Sequence, residues 1–168
     1  ETVLDLAWAL KKSLGEFVRV HQRDDALCTS TTTTDELIVH AGEVMDSDIV
    51  LWTHVTSPFF NTRSYDNVLE SYFESRKHGH DSLMAANQIT GFVWEGAGPI
   101  NYDRSIRKWP FTQSLESVFE VNSACFIAQS DSYTKHADRI GKNPVLHVVD
   151  LLEGFEIDYP HQFDMAET

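Results

Sequence analysis

The apolar residues of the chain follow two spacings, one typical of helices and one typical of strands. Apolar positions three and four residues apart predict amphipathic helices at residues 3–14, 37–45 and 65–73. Short apolar runs predict strands at residues 16–21, 48–53, 82–86, 119–128, 145–149 and 155–158. A last helix is expected over residues 160–167. Because strands and helices alternate, we expect an α/β fold with a mainly parallel sheet flanked by helices.

Residues at the ends of two helices support these assignments. Gly15 follows the first helix, where a glycine commonly ends a helix. Thr33 and Glu36 have the spacing of a capping box, in which each side chain accepts a hydrogen bond from the other residue's backbone. The second helix is therefore expected to begin directly after the polar tract at residues 30–34.

Residues 88–115 interrupt the alternation of strands and helices. This stretch contains several glycines and prolines, which favour turns, and the cations Arg104, Arg107 and Lys108. We expect it to leave the main layer as a small, hairpin-like excursion. The three cations form either a site for a carboxylate or phosphate or a solvated loop.

The composition restricts the class of protein. With 168 residues the chain has the size of a single domain, at roughly 150 residues per domain. Its formal net charge of −13 argues against binding to nucleic acids or anionic membranes, since both are polyanions. No apolar run reaches the roughly 20 residues that cross a bilayer, and we expect no signal peptide.

The two cysteines, Cys28 and Cys125, are far apart and belong to no metal-binding motif. Disulfides are rare in reducing compartments, whereas buried free thiols are common there. We therefore expect two buried thiols and a cytoplasmic protein.

Ligands of parallel α/β sheets bind at the carboxyl ends of the strands. In this chain that rule points to residues 54–59, to the threonine tract and to Asp158. Glu156 and Asp158 are two residues apart in a predicted strand, so their carboxylates are expected on the same side. Two such carboxylates suit Mg²⁺, although solvated acids at the end of a strand fit the same spacing.

Two further features leave alternatives open. The hydroxyl and N–H groups of residues 29–34 precede a helix, where they form either an anion or nucleotide-hydroxyl site or only a cap. Asn122 lies within an apolar strand, and a buried amide must bond either to a ligand or to protein.

The chain contains four motifs in the order found in one family, at residues 23–41, 50–59, 121–127 and 155–167. The first has an Arg-Asp pair, a Ser/Thr segment and LIVHA, similar to an arginine-rich turn, Ser/Thr segment and hxHA helix. The second, VLWTHVTSPF, resembles VVLLQPTSPL, and the third, VNSACFI, resembles xNGAIYI. The fourth joins FEID with FDMAE and resembles IDIDTxxDFxxAE. Together they resemble the acylneuraminate cytidylyltransferases, or CMP-sialic acid synthetases, over nearly the whole chain.

The resemblance implies a Rossmann-like nucleotide-diphospho-sugar transferase fold and a specific reaction. Enzymes of this family transfer CMP from CTP to a nine-carbon acidic sugar, a sialic acid or related nonulosonic acid, and release pyrophosphate. Mg²⁺ bridges the triphosphate, and such transfer depends on positioning and charge neutralisation. The resemblance also implies a homodimer, with residues 88–115 as the dimerisation extension.

The resemblance assigns roles residue by residue. Asp158 would be the catalytic Mg²⁺ ligand and Glu156 its partner. Thr33 or Thr34 would contact the nucleotide. His54 and Gln113 would contact the sugar, and Asn122 would lie near the sugar or the base.

The chain also departs from the family pattern. His54 stands in place of a Gln, Ser123 in place of a Gly and Glu156 in place of an Asp. No stretch resembles the family's phosphate-binding loop, PARxGSKRxPxKN. We therefore expect residues 1–168 to be a single domain that is incomplete at its N-terminus and inactive by itself. The alternative is a non-catalytic binding module with a sugar-nucleotide fold.

Overall fold

The chain forms a four-stranded sheet with helices packed on both faces, and a separate two-stranded hairpin. A computed structural model describes residues 2–168. The strands are β1 (Ile49–Trp52), β2 (Ser82–Ile89), β3 (Trp94–Glu95), β4 (Gly98–Pro99), β5 (Val118–Gln129) and β6 (Pro144–Val149). The helices are α1 (Val3–Leu14), α2 (Thr34–Val44), α3 (Thr62–Arg76), α4 (Ser130–His136) and α5 (Pro160–Ala166).

The main sheet has the strand order β1-β5-β2-β6. Strands β2 and β6 pair in parallel, whereas β5 is antiparallel to both β1 and β2. Strands β1, β2 and β6 therefore run in one direction and β5 in the other. The connection explains the reversal, because β2 and β5 are neighbours joined without a crossover helix. The α/β fold with a sheet flanked by helices is confirmed. Three of the four strands run in one direction, as expected, although only β2 and β6 pair in parallel.

Apolar side chains fill the space on each face of this sheet. On one face, Val68 and Tyr72 of α3 pack with Leu83 of β2 and Ile127 of β5. On the other, α2 and α4 pack against β1 and β5 through a cluster of four buried side chains: Ile38, Val50, Ala128 and Tyr133. Alternate residues of a strand thus supply the two halves of the core.

The predicted ends of the first two helices are confirmed. Thr33 Oγ1 accepts from the N–H of Glu36 at 3.2 Å, and Glu36 Oε2 accepts from the N–H of Thr33 at 2.7 Å. The hydrogen bonds that the N–H and the hydroxyl of Thr33 donate to the Glu36 carboxylate lower the pKa of Glu36. Gly15 follows α1 with φ of 64°, a left-handed conformation that favours glycine.

Two predicted strands are absent from the described residues, and one helix was missed. Residues 16–21 contain the end of a short 3-10 helix, and Phe17 is 97% exposed. Their alternating pattern was misleading because no neighbouring strand pairs with them. Residues 155–158 also lack strand structure, for reasons described below. Helix α4 has seven residues, too few for a clear apolar period.

The prediction of two buried thiols was half right. Cys125 is buried, and burial raises the pKa of its thiol to about 12, so the thiol stays protonated. Cys28 is exposed instead, because it ends a 3-10 helix in the loop before α2 and reaches no core side chain.

The excursion at residues 88–115 contains the expected hairpin, in which β3 pairs with β4. Asn101, which is buried, closes its base: Oδ1 accepts from the N–H of Val93 at 3.0 Å, and Nδ2 donates to the carbonyl of Gly91 at 2.8 Å. Within residues 2–168, no helix is both long enough and apolar enough to span a membrane.

Candidate active site

A bulge in β5 lies near the carboxyl ends of the parallel strands. Met84 of β2 pairs with Phe126, but Ala86 pairs with Val121, so residues 122–125 of β5 face Ala85 alone. Such bulges often occur next to active sites, where they redirect side chains and release backbone groups from the ladder. Here the N–H of Ser123 donates to Oε1 of Glu156 at 2.8 Å.

Asn122, in this bulge, is 1% exposed and bonded to protein. Its Nδ2 donates to Oδ1 of Asn87 on β2 at 2.9 Å, and its Oδ1 accepts from the N–H of Ala124 at 3.2 Å. Asn87 Nδ2 in turn donates to the carbonyl of Gly154 at 3.0 Å. The side-chain amide of Asn122 therefore bonds to protein through both Nδ2 and Oδ1. Its contact with a sugar stays a prediction.

Gly154 fits closely against this pair of amides. A Cβ at Gly154 would overlap Oδ1 of Asn87 and lie 2.9 Å from Nδ2 of Asn122. A side chain at this position would therefore push the two strands and the segment apart.

Residues 150–158, here called the acidic segment, are held in place without strand pairing. The N–H of Ile157 donates to the carbonyl of Thr56, in the loop after β1, at 2.9 Å. Ser64 Oγ donates to Oε1 of Glu153 at 2.5 Å. With the Glu156 and Gly154 contacts, the segment is thus tied to β2, β5, α3 and the loop after β1. Its alternation of apolar and acidic residues resembles a strand, but these irregular contacts replace a ladder.

Glu156 and Asp158 differ in their surroundings. Glu156 is half-buried and held by the N–H of Ser123, whereas Asp158 is exposed and its carboxylate has no hydrogen-bond or ion-pair partner within residues 2–168. In the described part of the chain, no three His, Cys, Asp or Glu side chains group to hold a metal. Mg²⁺ usually binds one or two carboxylates together with water and substrate phosphates. Residues 155–158 do not form the strand that was expected to place both carboxylates on one side, so the Mg²⁺ site at Glu156 and Asp158 stays a prediction.

His54 follows β1 and is half-buried. Its Nε2 lies 2.8 Å from Nε1 of Trp52 and 3.2 Å from Nη1 of Arg139. Both partners are obligate donors, so Nε2 must be unprotonated and the proton of the neutral ring lies on Nδ1. Burial and the charge of Arg139 lower the pKa of His54, while Glu156 acts in the opposite direction.

Arg139 belongs to this cluster, although nothing in the sequence pattern singles it out. It lies in the loop after α4, and its guanidinium carbon is 3.7 Å from the centre of the Phe126 ring. Burial lowers the pKa of Arg139. Its partner His54 is 85 positions away in the sequence, so only the fold brings the two together.

The other predicted residues are separate from this cluster. Thr33 and Thr34 are exposed at the start of α2, and the Thr33 hydroxyl serves the cap. Gln113 is exposed and lines a groove of about 410 Å³ with Gln88 and Ser117. None of the three hydrogen-bonds to His54, Asn122 or Glu156 within residues 2–168.

No protein-family model and no curated protein sequence matches the chain. Its structure is similar to that of 4-diphosphocytidyl-2C-methyl-D-erythritol synthase from Anaerococcus prevotii, with a TM-score of 0.62 and 12% sequence identity. The match covers 96% of this chain and 71% of that one. The likeness shows the fold, which is the nucleotide-diphospho-sugar transferase fold expected from the sequence.

Proposed function

We propose that the protein is a cytidylyltransferase that transfers CMP from CTP to a sialic acid or related nonulosonic acid and releases pyrophosphate. The observation that carries this proposal is the junction of the bulge with the acidic segment. There three motifs are in contact: the N–H of Ile157 donates to the carbonyl of Thr56, in the loop that carries His54, and the N–H of Ser123, next to Asn122, donates to Glu156. The structural neighbour, whose name describes a diphosphocytidyl product, supports the use of CTP.

In this proposal Glu156 and Asp158 hold Mg²⁺, which neutralises the triphosphate when bound. The N–H of Ser123 fixes one oxygen of Glu156, and the unpaired carboxylate of Asp158 faces solvent. The chain itself has a net charge of −13, so anionic substrates need this local compensation.

The nucleotide contacts are assigned to the start of α2. The Thr33 hydroxyl already donates to Oε2 of Glu36 at 2.9 Å, so the hydroxyl of Thr34 is the freer donor. The sugar contacts are assigned to His54, Asn122 and Gln113.

The proposal also includes a homodimer that forms through residues 88–115. Its proposed location is the cytoplasm. Three apolar side chains of the excursion are well exposed: Ile106 (84%), Trp109 (64%) and Phe111 (73%). Burial of such side chains stabilises an interface between copies of the chain. Light scattering should give the mass of a monomer for Trp109→Glu. It should give twice that mass for the unchanged protein.

The decisive test is pyrophosphate release by the full-length protein, with each of the four nucleoside triphosphates and a panel of acidic sugars. We expect release with CTP, Mg²⁺ and a nonulosonic acid. Asp158→Ala should lower kcat about a hundredfold or more, because metal neutralisation supplies several kcal/mol. Asp66→Ala, which removes an exposed carboxylate on α3 outside the four motifs, is the matched control and should remain active. Full activity of a folded Asp158→Ala variant would contradict the metal assignment.

The alternative is a non-catalytic binding module with a sugar-nucleotide fold. A module of this kind binds an acidic sugar in calorimetry but releases no pyrophosphate with any nucleotide.

A further inference from the structure

Arg139 is the only arginine of the described residues that is not exposed. Arg139 is half-buried, and a cation that loses part of its hydration is costly unless an anion or hydrogen bonds replace it. Its surroundings therefore indicate which group it is placed to meet.

The contacts of Arg139 leave its charge uncompensated. One face of the guanidinium stacks on Phe126, and one nitrogen donates to His54. Although the chain contains 26 Asp and Glu, none forms an ion pair with Arg139 within residues 2–168. Asp138 and Glu156 are near enough to influence Arg139 electrostatically, but neither forms an ion pair with it.

Stacking and a neutral acceptor orient a guanidinium without neutralising it. Since His54 Nε2 accepts from both Trp52 and Arg139, the imidazole is neutral and contributes no negative charge. A planar guanidinium fixed in this way has further N–H donors in the geometry that suits two oxygens of one anion.

We propose that Arg139 binds the anionic group of the acceptor substrate, a carboxylate or a phosphate monoester, and that His54 is its positioning residue. This assignment rests on the proposed function, in which an acceptor reacts beside Glu156 and Asp158. A sugar acid would present a carboxylate and a sugar phosphate would present a phosphate. In both cases two oxygens meet one guanidinium.

The indole N–H of Trp52 provides a readout that does not depend on turnover. It donates to His54 Nε2, the atom that Arg139 also contacts, so its NMR signal should shift when an anion engages Arg139. The signal can be assigned with Trp52→Phe. Full-length protein is titrated without nucleotide, using N-acetylneuraminate, glycerol phosphate and the neutral sugar N-acetylmannosamine.

We expect one of the two anions to shift the Trp52 signal and the neutral sugar to leave it unchanged. The anion that shifts it identifies the source, a carboxylate or a phosphate. Arg139→Lys should weaken that binding roughly tenfold to a hundredfold, as expected when a charge-assisted bidentate contact is lost. Arg76→Lys is the matched control, because Arg76 also stacks on an aromatic ring, Tyr72, but is exposed.

The results separate this assignment from the proposed function. If no acceptor supports pyrophosphate release but an anion still shifts the Trp52 signal and Arg139→Lys weakens its binding, the assignment stands and the transferase activity fails. If transfer occurs and folded Arg139→Lys keeps the acceptor KM of the unchanged protein, the assignment is overturned. Equal shifts with the neutral and anionic sugars would also overturn it.

Discussion

The two ends of β2 are built alike, yet they hold different groups in place. At the amino end, the Asp81 carboxylate accepts from the N–H groups of Lys142 and Asn143 at 2.8 and 3.0 Å and from Ser82 Oγ at 2.9 Å. A glycine, Gly141, packs directly against that carboxylate. Every part of this network serves to hold the loop before β6.

At the carboxyl end, Asn87 takes the place of Asp81 and Gly154 takes the place of Gly141. This network also fixes a loop, but the loop carries Asp158, whose carboxylate has no partner in the described residues, and its Glu156 acts electrostatically on Arg139. The comparison teaches that a fixed backbone is common to both ends. The candidate active site differs because its network positions the Asp158 carboxylate and acts through Glu156 on the Arg139 guanidinium, neither of which has an ion-pair partner in the described residues.

The largest expected effect comes from adding one methyl group at each end. A Cβ at Gly154 would overlap Asn87, and one at Gly141 would overlap the Asp81 carboxylate. We expect each Ala variant to lose about 2–3 kcal/mol in urea unfolding, as overpacked sites do. Gly154→Ala should also lower the kcat of the folded full-length protein, because Glu156 and Asp158 move with the segment. Gly141→Ala should leave kcat nearly unchanged, and equal losses of kcat would remove the distinction between the two ends.

An intermediate effect is expected from Asp81→Asn. Burial alone would raise the pKa of Asp81, but the hydrogen bonds from Asn143, Ser82 and Lys142 outweigh burial and lower it. The ionised carboxylate therefore stabilises the fold above its unfolded pKa of about 3.9, and this contribution is lost as pH falls through the lower folded pKa. Asp81→Asn should cost about 2 kcal/mol at pH 7. Its deficit should shrink below about pH 4, and a constant deficit in urea unfolding would argue against the charge.

The smallest effect is expected at His54, on the carboxyl side. Its pKa is lowered in the folded protein, so the neutral ring contributes stability above the unfolded pKa of about 6.5. That contribution is lost as pH falls from this value towards the folded pKa. Between about pH 7 and pH 5 the free energy of unfolding of His54→Gln should fall less than that of the unchanged protein. The difference between the two falls should be less than about 1 kcal/mol. Burial also lowers the pKa of His147, so the stability of the variant should still fall with pH in this range. An identical slope in the variant would show that His54 is not held neutral.

The fold could be predicted from local patterns, because helices α2 and α3 and strand β5 have clear periods and α2 has a capping box. The predicted strand at residues 16–21 failed because pairing depends on a neighbour that the local pattern does not contain. The candidate site was predicted only in part. The motifs pointed to His54, Asn122 and Glu156, whereas Gly154 meets Asn87 across 67 positions and Arg139 meets His54 across 85. Such contacts have no local signal.

The bulge also determines how β5 can change without losing the site. Between the same two pairs, β5 has three residues more than β2, and side chains alternate with a period of two. An odd excess reverses which face the residues before the bulge present relative to those after it. Residues 118–121 and 126–129 therefore act as two strands in opposite phase within one continuous β5. A deletion of one residue between them would make the side chains of one half face the opposite side of the sheet. Substitutions within either half leave the other half in register.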